Sequence, residues 1–179
     1  KAIELDIDLA IPSLKHLELV LAAGKALGKK PRVHIEVDTG MTRGGLLGEW
    51  PEFLIAIKGA DLEVVGFWSH FARADEPNEI ANQNQVSDFE SKLAELQGIG
   101  ITPKYIHLAN SAAALTNEGA HKNIIRLGIA MYGLSPDAKT LGTSLELDLE
   151  PAMTLKAEIH LVKRVPAGSP VGYGGTQLT

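Results

Sequence analysis

Several short apolar runs in this 179-residue chain break off into polar residues able to do chemistry. The run 33–37 ends in Asp38-Thr39-Gly40-Met41-Thr42-Arg43, and the run 62–67 ends in Trp68-Ser69-His70-Phe71-Ala72. The run 105–108 is followed by Ala109-Asn110-Ser111-Ala112, and 124–127 by Gly128-Ile129-Ala130-Met131-Tyr132-Gly133. In a parallel α/β protein the ends of successive strands gather on one face, where such folds carry their chemistry. Arg126, leading into the free backbone amides of Gly128 and Ile129 with the hydroxyl of Ser111 nearby, is a donor set for a phosphate-bearing cofactor.

Each of these signals has a plainer alternative. The segment 38–43 reads equally as a turn, with positive φ at Gly40 and a solvated Arg43. The functional reading turns Arg43 inward as a fixed cation for a phenolate or carboxylate. Glu36, on the same side of its strand as Asp38, is placed to hold it. A histidine at a strand end is commonly a hydrogen-bonded structural residue. The case for His70 rests on its aromatic neighbours Phe67, Trp68 and Phe71 and on the acidic pair Asp75-Glu76. His34, His70 and His107 all fall in or just after strands, which with Asp38 raises a metal-hydrolase reading. Yet His34 sits near the start of its strand, His107 inside one and His70 beyond the end of another. The three are not expected in one layer, and no metal site is assigned. Asn110-Ser111 alone is an ordinary helix cap, Met131 and Tyr132 read as packing, and Tyr173 between glycines is by default a turn residue.

The elements that must position these residues follow from pattern. A strand at 7–11 ends at Pro12, and Ser13 is a good N-cap for a helix over 14–27 that Gly28 terminates. Pro31 leads into the strand 33–37, and the glycine-rich stretch 38–48 is a structured loop. A helix over 51–58 starts on Pro51. The nearly continuous apolar run 62–67 predicts a strand buried on both faces. Asn78 is a candidate cap for a long helix to Gln97, and a strand at 104–108 precedes a short helix at 110–116 capped by Asn110 or Ser111. A further strand is expected at 124–127. From 155 to 161 apolar and polar residues alternate, a strand with one wet face, followed by the turn Pro166-Ala167-Gly168.

Repeated strand–helix units mean α/β, here part of a (β/α)8 TIM-type barrel over 1–136. A linker at 137–151 and the beginning of a β domain at 152–179 follow. About five strands cannot close a barrel of eight, and an open half-barrel exposes unpaired edges. With no initiator sequence at Lys1 and no closing element after Gly175, the chain is expected to be a piece of a longer protein.

Composition narrows the partners. Hydrophobic residues make up 45% and the formal net charge is −5, with lysine and arginine scattered rather than clustered. No basic patch is available for nucleic acid or an anionic membrane. There is no cysteine, which removes disulfides and thiolate metal sites. No apolar run reaches the roughly 18 residues of a membrane span, so a cytoplasmic location is expected.

Five motifs carry a resemblance. Asp-Thr-Gly-Met-x-Arg at 38–43, Ser-His-Phe-Ala-x-Ala-Asp-Glu at 69–76, Ala-Asn-Ser-Ala-Ala at 109–113 and Arg-x-Gly-Ile-Ala-Met-Tyr-Gly-Leu-Ser-Pro at 126–136 resemble the alanine racemases. So does Lys-Arg-x-Pro-Ala-Gly-x-x-Val-x-Tyr-Gly-Gly-Thr at 163–176. The resemblance implies a barrel followed by a mainly β domain, pyridoxal 5'-phosphate as cofactor, alanine as substrate, and a head-to-tail homodimer. By the same implication Ser111, with Asn110 beside it, and the amides of Gly128 and Ile129 hold the cofactor phosphate. Arg126 faces the pyridine nitrogen, His70 lies against the ring, and Arg43 meets the phenolic oxygen and the substrate carboxylate. Asp75 lines the entryway, and Tyr173 is the catalytic tyrosine that reaches into the partner subunit's site.

Two departures matter. The family often has a carbamylated lysine where this chain has Glu36, so Glu36 is expected to orient Arg43 directly as a permanent anion. The family's cofactor-bearing lysine, in an Ala-Tyr-Gly-His-Gly context, has no counterpart here, so the chain alone is expected to be inactive. A non-catalytic pyridoxal-phosphate carrier of the same barrel type is the nearest alternative, though such carriers lack the β domain.

Overall fold

The computed structural model describes residues 1–179. Four strands, β1 (Leu9–Ile11), β2 (Arg32–Glu36), β3 (Glu63–Trp68) and β4 (Tyr105–His107), form one parallel sheet in sequential order. Between them run α1 (Leu14–Leu27), α2 (Trp50–Ile57) and α3 (Ile80–Gly98), and α4 (Ser111–Thr116) follows β4. Unbroken sequential order, with a helix returning each strand to the same edge, is the topology of a barrel rather than of a doubly wound sheet, whose order reverses. The molecule is thus a partial TIM-type barrel. No helix is long and apolar enough to cross a membrane.

Local chemistry accounts for most boundaries. Ser13 is extended and its hydroxyl accepts the His16 amide hydrogen at the start of α1, while Gly28 ends that helix in the left-handed region at φ 61°. Pro51 occupies the first turn of α2, and Asn110 Oδ1 accepts from the Ala113 amide to cap α4. The α3 boundary differs from expectation. Glu79, not Asn78, precedes the helix, because Asn78 lies inside a turn closed by Glu79 N–H to Glu76 O. Asn82 ties this corner down by donating to the carbonyls of Arg73 and Glu76.

The core lies between the sheet and its helices. Val33, Ile35 and Phe67 point outward from β2 and β3 and are fully buried against Leu17, Phe53, Ile57, Phe89 and Leu96. Phe67 packs on Phe89 with ring centroids 4.9 Å apart. Each such side chain contributes about 1.5–3 kcal/mol through removal from water. The alternate residues of the same strands, His34, Glu36, Gly66, Trp68, Tyr105 and His107, point to the opposite face, the interior side of a barrel. Register aligns them in two rows, His34–Gly66–Tyr105 and Glu36–Trp68–His107.

Two expected strands do not form. Residues 124–127 make a single parallel bridge, His107 to Ile124. Beside two backbone bonds, Asn123 N–H to Ile106 O and Arg126 N–H to Ala109 O, the Asn123 side chain accepts from the Ile106 amide at 2.7 Å and donates to the Lys104 carbonyl at 2.8 Å. Residues 155–161 alternate as a strand should, but no segment pairs with them, and Leu155 and Ile159 are 99% and 82% exposed. A strand pattern without a partner supplies no hydrogen bonds and no buried face. The only β structure after β4 is the two-residue antiparallel pair β5 (Pro170–Val171) and β6 (Gln177–Leu178).

Candidate active site

At the end of β2, Asp38 is buried and its Oδ1 accepts three successive amides, those of Gly40, Met41 and Thr42, at 2.8–3.1 Å. It shapes the loop and has no lone pair to spare for a metal on that oxygen. Gly45 makes the return possible. At φ 100° it lies so close to the Asp38 amide that an added Cβ would stand 2.6 Å from it. Arg43 is exposed on this loop, and no ion pair within 4.0 Å joins it to Glu36, contrary to the expectation of a direct clamp. Glu36 is half-buried. Burial raises its pKa, and the positive charges of Arg43 and Arg126 oppose that rise. It thus faces the positive charges of two arginines.

The end of β3 is fastened to that of β2. Thr39 and Ser69 hydroxyls lie 2.8 Å apart, and Gln85 from α3 donates to both Thr39 Oγ1 and the His70 carbonyl at 3.0 Å. Its Oε1 accepts from the Ala72 amide at 2.9 Å. Gln85 is 3% exposed, and nothing in its sequence context sets it apart from the other amides of α3.

Arg126 is the hub. Its NH1 donates to His107 Nδ1 at 2.9 Å, and its NH2 to the carbonyl of Ser69 at 2.7 Å, with His70 Nδ1 and the Leu108 carbonyl each at 3.3 Å. The guanidinium lies 5.0 Å over the Trp68 ring. Burial lowers its pKa to about 10, with Glu36 opposing, so it stays a cation near neutrality. His70 is pushed down by burial, then by Arg126 and Arg43, which disfavours its charged form. His107 is pushed down to about 4 by burial, then by Arg126 and His34.

Ser111 completes the rim. Its Oγ accepts from the amides of Gly128 at 2.8 Å and Ala130 at 3.4 Å. The Gly128 amide is thus not free, as its sequence setting suggested, but held by the serine. With both lone pairs engaged, the hydroxyl proton is left as an unused donor. His70, Asp75, Asn110, Ser111 and Arg126 line one cavity of about 280 Å³ together with Gly128, Ile129 and Pro136. Glu36 and Arg43 share a narrow cleft on the other flank of His70. Tyr173 lines neither; it is fully exposed in the turn between β5 and β6.

Register puts His34 and His107 in different rows and His70 beyond the end of β3, yet His34 Nδ1 and His107 Nε2 are 3.0 Å apart, and the Arg126 guanidinium reaches both His107 and His70. Neither His34 nor His107 has a local signal, because the contact spans 73 residues.

Fold and rim together define an α/β-barrel domain with a polar cavity, lined by Arg126, Ser111 and His70, at the carboxyl ends of its strands. Residues 1–136 match the family model described as alanine racemase, N-terminal domain, and the chain belongs to that family. It is 44% identical over 178 residues to an alanine racemase of Salinispora tropica, covering 97% of this chain and 46% of that protein. Among solved structures, alanine racemase from D-cycloserine-producing Streptomyces lavendulae superposes with TM-score 0.92 at 42% identity, and that of Streptomyces coelicolor with 0.93 at 39%. Each covers 99% of this chain and 48% of the solved one. The chain spans about half the length of the curated relatives it matches.

Proposed function

We propose that this chain is the cofactor-binding half of an alanine racemase, a cytoplasmic homodimer that interconverts L- and D-alanine with pyridoxal 5'-phosphate and supplies D-alanine for the cell wall. The observation that carries the reading is the convergence of Arg126, Ser111, Gly128 and His70 on one cavity, from the ends of β3 and β4 and the segment 124–128. Its donor set fits a phosphorylated pyridine: a serine hydroxyl with an unused proton at one end and the His70 imidazole at the middle. At the other end stands a guanidinium whose Nε–H none of its hydrogen bonds within the chain uses.

When bound, the cofactor supplies the electron sink that lets an α-proton leave an amino acid. The residues of this chain do the rest. Ser111, backed by the Gly128 amide and flanked by Asn110 and Ile129, holds the phosphate. Arg126 would face the ring nitrogen without surrendering a proton, since its pKa of about 10 stays well above neutrality. His70 would lie against the ring, and Arg43, poised by the charge of Glu36, would receive the phenolic oxygen and the substrate carboxylate. Asp75 guards the entry.

Racemisation requires a proton donor or acceptor on each face of the α-carbon. Tyr173 is one such group, and its full exposure suits service in a partner subunit's site rather than its own. This chain has no counterpart of the family's cofactor lysine in its Ala-Tyr-Gly-His-Gly context and supplies only the tyrosine, so on this reading it is inactive alone. Residues 1–136 act as the barrel portion, 137–151 as a linker and 152–179 as the start of the β domain. Titration with pyridoxal phosphate, followed by visible absorbance, tests the reading. Saturable binding competed by inorganic phosphate is expected; binding indifferent to phosphate overturns it.

A further inference from the structure

Behind Arg126, on the interior face of the sheet, runs a line of polar groups that the proposed chemistry does not use. Arg126 NH1 is 2.9 Å from His107 Nδ1, His107 Nε2 is 3.0 Å from His34 Nδ1, and His34 Nε2 is 3.6 Å from Asp8 Oδ2. The last separation is longer than a hydrogen bond, so Asp8 acts there as a nearby acceptor rather than a bonded one. Asp8 is itself fixed, its Oδ1 accepting from Arg32 Nε at 2.6 Å.

The two ends of this line allow only one arrangement of protons. A guanidinium has donors and no acceptor, so His107 Nδ1 must be bare. A neutral His107 then carries its proton on Nε2 and donates to His34, whose Nδ1 must in turn be bare. His34 therefore carries its proton on Nε2, facing the Asp8 carboxylate, which can only accept. Donor-only at one end and acceptor-only at the other, the line has a single direction. Both rings must be neutral for it to exist, and burial pushes both histidines down from the ordinary value.

The backbone makes room for it in two ways. The β2–β3 register slips by one residue, so that Val33 pairs Val64 but His34 pairs Gly66. That slip puts a glycine directly beneath the His34 ring, and a Cβ at Gly66 would collide with three atoms of the imidazole. A glycine inside a strand and a break in the ladder each cost stability, and sheets place such irregularities where a side chain must be aimed. Here both occur at His34, which also stacks on Tyr105 at 6.1 Å.

We infer that Asp8 and His34, seated over Gly66, are positioning residues that fix the tautomer of His107 and through it the orientation of Arg126. The functional consequence rests on the reading of Arg126 as the partner of the cofactor's ring nitrogen; the tautomer does not. If His107 turned a proton toward Arg126, two donors would face each other and the guanidinium would leave the plane it holds over Trp68.

The test joins histidine nitrogen NMR to cofactor binding in the full-length protein. In cofactor-free protein at neutral pH, both His34 and His107 are expected to carry their protons on Nε2. His34→Leu removes the acceptor and is expected to mix the His107 tautomers and weaken pyridoxal-phosphate binding about tenfold, the scale of one buried hydrogen bond. His34→Asn keeps an oxygen acceptor near the Nδ1 position and is expected to restore both. A wild-type His107 protonated on Nδ1, or Leu and Asn variants that behave alike, overturns the inference. Correct tautomers in a protein that takes up no pyridoxal phosphate would support the relay and defeat the cofactor reading instead.

Discussion

The hydroxyl of Ser111 and the amide nitrogen of Gly128 lie 2.8 Å apart, joining the first residue of α4 to a loop 17 residues further on. One bond thus assembles the anion end of the cavity from two segments and leaves the serine proton as an unused donor. Ser111→Ala removes that proton and leaves the Gly128 amide without its acceptor. Affinity for pyridoxal phosphate is expected to fall about tenfold, with unfolding free energy changed by about 1 kcal/mol. Absorbance titration and urea unfolding read the two effects separately.

Glu36 sits between two cations and makes an ion pair with neither, so its charge acts on both at a distance. Glu36→Gln keeps the shape and removes the charge. In the full-length enzyme KM for the amino acid is expected to rise about fivefold, the scale of a partly screened charge, with kcat changed less. Steady-state kinetics at fixed ionic strength provide the check. Unchanged KM would remove Glu36 from the orientation of Arg43.

Gln85 is the fastening that holds the ends of β2 and β3 together. Gln85→Ala would strand the Ala72 amide and deprive Thr39 and the His70 carbonyl of a donor. We expect a loss of about 2–4 kcal/mol, since unsatisfied buried groups retain their desolvation penalty. The midpoint of urea denaturation measures it.

Acid should loosen the fold through its histidines. His107 is held at about 4 against an ordinary 6.5, facing Arg126 and His34 directly and Asp8 through His34. Between those pH values the unfolded chain binds a proton that the folded chain refuses, so stability falls as pH drops from about 6.5 to 4. His107 alone accounts for roughly 3 kcal/mol at the acid end of that window. His34 and His70 are lowered too and act in the same sense. Denaturant unfolding at several pH values should show this slope, and His107→Asn should flatten it.

Amino-acid sequence alone determined what depends on neighbours in the chain. Ser13, Gly28, Pro51 and Asn110 mark helix ends because a cap bonds within three or four residues of itself. The outward positions of β2 and β3 are legible because burial against helices imposes alternation. The motifs at the strand ends, and the family they resemble, are likewise written in order. Tertiary structure decided what depends on a partner. Residues 124–127 and 155–161 carry strand patterns, but a strand exists only when a second strand takes its hydrogen bonds. In one place two backbone bonds and the Asn123 side chain make only a single bridge, and in the other nothing pairs. His34, Gly66, His107 and Arg126 are spread over 93 positions, 34 to 126 inclusive. Their contact required the parallel register, with its one-residue slip, to lay β2, β3 and β4 side by side. No local pattern encodes a tautomer that is fixed by an arginine at one end of a line and an aspartate at the other.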